Sequence, residues 1–302
     1  MSSDPRPDVG RTNAPRAVRL RTGRKAGPAI RYIVGALVLL AFIIPLLWMI
    51  SGSLKPDSEV FTNPPHLLPR HVDTHNYNNA VDYISFWTYL RNSVIVTVCT
   101  VAGTLFCCVP AAYALSVLKW RGKKISFGII LFSIMLPFPA VMIPWYIVFR
   151  KMGMIGSLLP LTVPPFVGQF VTPAFSSALA IFLLRQFLRG IPEELIEAAR
   201  IDGAGTTRIM LQVVLPLARP VIATVVIMTV LSSWTAFIGP LLFLNNDSTF
   251  TLSLGLQQYQ SQHFTAYNLL LAASVLFIIP VLAVFLGGQR YFVRGVARTG
   301  LK

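Results

Sequence analysis

Eighteen consecutive residues, Ile33 to Ile50, carry no charged side chain. As a helix rising 1.5 Å per residue they would extend about 27 Å, close to the ~30 Å hydrocarbon thickness of a bilayer. Lipid offers no partner to a bare peptide group, so such a run must satisfy its backbone internally, as a helix does. Further apolar runs follow from about Asn92 to Leu118, Ile125 to Phe149, Pro173 to Leu184 with a continuation through Arg185 towards Leu188, Pro220 to Leu244, and Tyr267 to Gly288. Composition agrees: 54% of the 302 residues are apolar and only 12% are charged, about half the charge of a soluble domain. The sequence therefore predicts an all-α integral membrane protein with six transmembrane helices.

The net charge is +15. In a soluble chain that would suggest nucleic acid, but here the charge has a topological account and no nucleic-acid partner is expected. Of the 26 lysines and arginines, 21 fall before the first span, in the turn at Lys119–Lys124, in the segment from Arg185 to Arg219, or after the last span. Basic residues accumulate on the cytosolic side of bilayer proteins. Both termini and the segment 190–219 are thus expected in the cytosol. Residues 1–29, basic and poor in large apolar side chains, read as a disordered tail, and 30–302 as the membrane domain. Ser51-Gly52-Ser53 is a weak cleavage-like site, but the run before it is long enough to stay as an uncleaved first helix.

Within this frame several details stand out. Tyr83, Phe86, Trp87 and Tyr89 precede the second span and suit an interfacial aromatic belt. The third span carries Pro137, Pro139 and Pro144, which predict a kinked helix. The three cysteines, Cys99, Cys107 and Cys108, share one apolar run without nearby histidines, so no metal site is expected.

The polar exception among the runs is Ile191 to Pro220. Pro192 suits a first helical turn, and Glu193 and Glu194 suit the positive helix end behind it. Leu195, Ile196, Ala199 and Ile201 can share one side at spacings of three and four. Gly203 falls where a left-handed cap would close the helix. Thr206 or Thr207 can cap a second helix, which carries Ile209, Met210, Val213 and Val214 to Leu215-Pro216. The pattern is helix, tight turn, helix between two spans, a knob able to plug into another protein.

Chemistry of other kinds finds no support. The spans as drawn contain no Asp, Glu, His or Lys, with Arg185 at an edge. Proton-coupled carriers usually keep ionisable groups inside the bilayer; sodium sites of carbonyls and hydroxyls stay open. There is no G-x-x-x-x-G-K-[ST] to cradle ATP phosphates, and no H-E-x-x-H or G-x-S-x-G. A pore without its own energy source needs an outside motor.

Glu197-Ala198-Ala199, three residues, Gly203, nine residues, then Val213-Val214-Leu215-Pro216 resembles the EAA loop of ABC-importer permeases. The wording from about Ile30 to Lys302, including Asn92-Ser93 and Ala111-Ala112-Tyr113-Ala114, is similar to the carbohydrate-uptake branch, within it the maltose-permease-like second subunit. Val213 departs from the usual isoleucine. The resemblance implies a type I ABC importer permease fold in a bacterial-type plasma membrane. It implies a homologous permease, two ATPase subunits and an extracytoplasmic solute-binding protein as partners, besides the lipid bilayer. It implies no cofactor on this chain, with ATP on the partner subunits, and no catalytic role. Glu197, Ala198, Ala199, Asp202, Gly203, Leu215 and Pro216 would couple to an ATPase. The outer segment Asn245–Ala266 would approach the binding protein or substrate through Gln257, Gln258, Tyr259, Gln260 and Gln262. Trp234 and Phe237 could stack on a sugar or only pack helices, and Thr235 departs from an asparagine common in the family. Two rival readings are a self-sufficient ion-coupled secondary transporter and a polytopic membrane enzyme. Gradient-driven uptake by the isolated chain would favour the first, and a polar catalytic cluster at one membrane face the second.

Overall fold

The computed structural model describes residues 27–64, 66–168, 177–260 and 265–299. The tail read at 1–29 thus lies outside the described residues up to position 26. The chain divides into two compact units, Met1–Leu47 and Trp48–Lys302. Described residues of the first unit belong to α1 (Gly27–Ser53), whose last turn enters the second. In the second unit follow α2 (His75–Tyr83), α3 (Phe86–Ser116), α4 (Lys123–Ile134), α5 (Phe138–Lys151), α6 (Ser177–Leu188), α7 (Glu193–Ile201), α8 (Thr206–Leu217), α9 (Arg219–Trp234), α10 (Ile238–Phe243) and α11 (Tyr267–Thr299). No strand forms among the described residues, where Gln260 and Thr265 make an isolated bridge. The expectation of an all-helical chain holds.

The spans depart from the sequence reading in instructive ways. Three helices are long and apolar enough to cross a bilayer unaided: Ile30–Ser53, Phe86–Ser116 and Tyr267–Gln289. The third predicted span is two helices, α4 and α5, meeting at 99°. A kink becomes a corner because Pro137 disfavours helical backbone at the residue before it. The chain closes α4 with short-range bonds from Met135 N to Phe132 O and Leu136 N to Ser133 O, then turns extended at Pro137. Pro139 sits in the first turn of α5, where its missing N–H costs nothing. The fourth span is described only as α6, since 169–176 lie outside the described residues. The fifth, expected to run to Leu244, stops at Trp234 and resumes as α10. The last helix continues beyond the predicted span, through Thr299.

α3 is the axis of the second unit. Its 31 residues span about 46 Å, longer than the hydrocarbon layer, and thread three apolar clusters. Phe86 and Tyr89 join Trp234, Tyr259, Ala272 and Ala273; Val96 joins Phe138, Phe149, Phe243 and Leu254; Cys108, Ala112, Tyr113 and Leu115 join α6, α7, α8 and α9. The predicted aromatic belt is therefore split. Phe86 and Tyr89 are buried in the bundle, whereas Tyr83 and Trp87 are exposed. Between the clusters α3 presents small polar side chains, whose hydroxyls bond back along the helix: Thr100 to Val96 O at 2.7 Å and Thr104 to Thr100 O at 2.6 Å. That satisfies them without a partner helix and lets neighbours approach closely. The approach is close at Gly103, where a Cβ would stand 2.8 Å from Phe166 N.

Candidate functional site

The polar segment folds as the sequence suggested, with a fuller closure. Pro192, expected in the first turn, instead precedes the helix as an extended residue at φ −56 and ψ 133, and α7 starts behind it with Glu193 and Glu194 in its first turn. Gly203 has φ +78. Around it Ala204 N donates to Ala199 O at 2.9 Å and Gly203 N to Arg200 O at 3.0 Å. These are the paired bonds of a Schellman cap, which absorb carbonyls that would otherwise end the helix unpaired. Ala204, the outer partner in that pair, was not singled out from sequence; its place one residue past the glycine is the signal that finds it.

The second arm differs at its start. Neither Thr206 nor Thr207 caps α8. Gly205, extended at φ −70 and ψ 164, takes the position without a side-chain bond, and its carbonyl accepts from Ile209 N at 3.0 Å. The tight turn leaves one residue between Ala204 and the new helix, so the chain reverses before a threonine can serve. Further along, Met210–Val214 widens into a π turn, and α8 meets α9 at 80°. Pro216 and Pro220 each remove an N–H from the backbone ladder, and the break falls between them at Ala218.

The predicted common apolar side of α7 separates into two. Ile196 is buried and Ala199 half-buried, and both pack with Ile209, Val214, Leu184 and Leu188. Leu195 is 45% exposed and Ile201 86% exposed. At 100° per residue, Ile201 lies about 140° round the helix from Ile196, so the wheel angle already separates them. The exposed face then holds Leu195, Glu197, Ala198, Ile201, Asp202 and Gly203, small or apolar around two carboxylates. Leu215 is half-buried and Pro216 exposed near the elbow. Tyr113 ties the lever to α3 through its hydroxyl, which donates to Thr206 O at 3.3 Å.

The outer segment is tucked inward. Leu252, Leu254 and Tyr259 are buried, Tyr259 at 1% exposure, and its hydroxyl donates to Ala80 O at 2.6 Å. Asn92 Nδ2 donates to Ser248 O and Phe250 O, each at 2.9 Å, and Leu252 N donates to Ser93 Oγ at 2.7 Å. Gln258 Nε2 donates to Asp247 Oδ1 at 2.8 Å. Asp247 also accepts from the hydroxyls of Tyr89 and Ser85. The Tyr89 bond, then the Gln258 bond, hold its carboxyl below the usual range, against a smaller opposing effect of desolvation. Of the residues expected to meet a partner, Gln257 and Gln260 are exposed, Gln258 and Tyr259 are engaged internally, and Gln262 lies outside the described residues. Trp234 is buried, with Nε1 donating to Phe277 O at 3.0 Å, while Phe237 is partly exposed. Trp234 thus packs helices in this structure.

Known proteins are similar to this chain in sequence and in fold. A family model described as a binding-protein-dependent transport system inner membrane component matches residues 103–298. The arabinooligosaccharides transport system permease protein AraQ of Halalkalibacterium halodurans is 30% identical over 285 residues, covering 92% of this chain and 99% of its own. The sn-glycerol-3-phosphate transport system permease protein UgpE of Brucella suis biovar 1 is 31% identical over 280 residues, covering 88% and 96%. Among solved structures, a chain of a bacterial ABC transporter involved in the import of the acidic polysaccharide alginate superposes with a TM-score of 0.74 at 28% identity, covering 87% of this chain and 97% of that one.

Proposed function

This chain belongs to the family of binding-protein-dependent transport system inner membrane components, and from that premise we propose that it passes a carbohydrate or related polar solute through the membrane for an ATP-driven importer. It is a permease subunit of the type I ABC importer fold, a transport component and not an enzyme. The carbohydrate class is favoured by relatives named for arabinooligosaccharides and by a structural neighbour that imports alginate. A relative named for glycerol phosphate keeps other polar cargo within reach.

In this reading the solute is delivered by an extracytoplasmic binding protein, the pore is completed by a second permease, and ATP is hydrolysed by two partner subunits. The termini and the lever face the cytosol, as the basic residues favour. The observation that carries the reading is the lever itself. Its exposed face holds Glu197, Ala198 and Gly203, its other face is packed on α3 and α6, and its second arm runs into α9 through one elbow residue. A pull on α7 is thereby passed to a membrane helix rather than lost in a loose loop. Asp202 sits on the exposed side of the turn, and Ala199, Leu215 and Pro216 shape its base.

Cross-linking tests this directly. A single cysteine in place of Ala198, in the assembled complex, should cross-link to the ATPase subunit and be labelled only from the cytosolic side. Labelling from outside the cell would overturn the reading, as would uptake by the isolated chain driven by an ion gradient without ATP.

A further inference from the structure

A cavity of about 440 Å³ opens where the turn between α3 and α4, the end of α6 and the start of α7 converge. Six cations line it, Lys119, Lys123, Lys124, Arg185, Arg189 and Arg200, against two carboxylates, Glu193 and Glu197. Among the described residues none of the six comes within ion-pair distance of a carboxylate. Six cations against two carboxylates leave an excess of four positive charges, which is unfavourable, and an anion in the cavity would relieve it.

Two of the cations are held in place. Lys123 Nζ donates to Ser116 O at 2.7 Å and to Leu118 O at 3.1 Å. Arg185 Nε donates to Leu115 O at 3.0 Å, and its guanidinium lies 3.7 Å above the Phe127 ring. The carbonyls ending α3 thus fix both side chains. The bundle rather than solvent holds the Arg185 side chain. Their ordering is complete before any ligand arrives, and charge-assisted bonds to phosphate oxygens are the strong ones.

The surroundings favour a lipid source for the phosphate. Lys124 is followed at once by Ile125, and Ile125, Ile129 and Phe132 are exposed apolar side chains on the same helix. Trp120, also partly exposed, anchors its indole N–H on Ala114 O at 3.0 Å. Cations, then an aromatic, then bare apolar surface is the sequence of environments met at a membrane boundary.

We propose that this cavity binds the phosphate headgroup of an anionic phospholipid of the cytosolic leaflet, bridging the end of α6 to the base of the lever. The assignment rests on the orientation proposed above, but its test does not read orientation.

The assembled complex in detergent would be titrated with phosphatidylglycerol and with phosphatidylcholine, and retained lipid read by native mass spectrometry. Phosphatidylglycerol should be retained over phosphatidylcholine. Lys119→Gln with Lys124→Gln should weaken its retention about 25-fold, given roughly a fivefold effect per surface cation. The corresponding pair of Lys→Arg changes should preserve it. Equal retention of both lipids by the unaltered complex would overturn the proposal without need of any variant. So would displacement of the lipid by millimolar inorganic phosphate, which would make this a free-anion site. So would loss of the ATPase subunit from the glutamine variant with lipid retention unchanged, which would make the occupant a protein. Detergent has no sidedness, so failure here leaves topology to the cysteine labelling at position 198.

Discussion

The lever at 191–218 and the outer segment at 245–266 are both polar interruptions between apolar helices, yet they are built in opposite senses. The lever turns its motif outward. Its attachment is a few apolar side chains, Ile196, Ile209 and Val214, packed on α3 and α6. The outer segment turns inward, and residues that resemble contact groups, Gln258 and Tyr259, are spent on internal bonds. In the proposed reading, a segment gripped by another protein keeps a free face, whereas one that closes the end of a bundle gives its polar groups to the bundle.

The contrast predicts its largest effect at the outer end. Tyr259→Ala should cost about 3–5 kcal/mol of folding stability, as for removal of a buried aromatic. It would also leave Ala80 O without its donor. Thermal unfolding of the purified complex measures this, with Tyr259→Phe expected to lose only the hydrogen bond, about 1–3 kcal/mol. A melting point unmoved by either change would mean that the segment does not close the bundle.

At the lever the effect on stability should be smaller and that on transport greater. A Cβ at Gly203 would have no neighbour within 4 Å, so Gly203→Val meets little steric obstruction at that atom. What it meets is the backbone, since φ +78 costs an L-residue about 1–2 kcal/mol. That strain should distort the turn carrying Asp202 and Ala204. ATP-dependent uptake should fall sharply while membrane insertion and melting remain near normal. Unchanged uptake would show that the turn does not transmit force.

The contrast also explains what could be read from the chain unaided. The helices, the Gly203 cap and the outward motif were legible because each depends on local chemistry: a run of apolar side chains, a residue without a Cβ, acidic side chains in a first turn. The inward fold of 245–266 was not. Gln and Tyr suit a solvated loop or a buried network equally, and the deciding partners, Asn92, Ser93 and Ala80, lie more than 150 residues away. The corner at Pro137 falls between these cases. The prolines announced a bend, but its 99° depends on what the two helices pack against. The separation of Leu195 and Ile201 from Ile196 was present in the sequence as an angle, though spacing alone hid it.

The smallest expected effect follows from Asp247, which ties α3 to the outer segment. Its folded pKa is depressed, chiefly by the Tyr89 hydroxyl and then by Gln258. The bonds therefore favour folding fully above the unfolded carboxyl value of about 3.9. Their contribution fades as pH falls from there through the lower folded value. The side chain is exposed, so solvent screening keeps the effect modest. Hydrogen exchange at 247–260, taken relative to the intrinsic rate at each pH, should thus be flat near neutrality and rise only below about pH 4. Asp247→Asn should remove that acid-dependent rise while leaving exchange in the lever unchanged. An equal acid response at both ends in the unaltered protein would mean that the outer segment is not held by this carboxylate, and that its inward packing rests on Leu252, Leu254 and Tyr259 together with the Asn92 and Ser93 bonds.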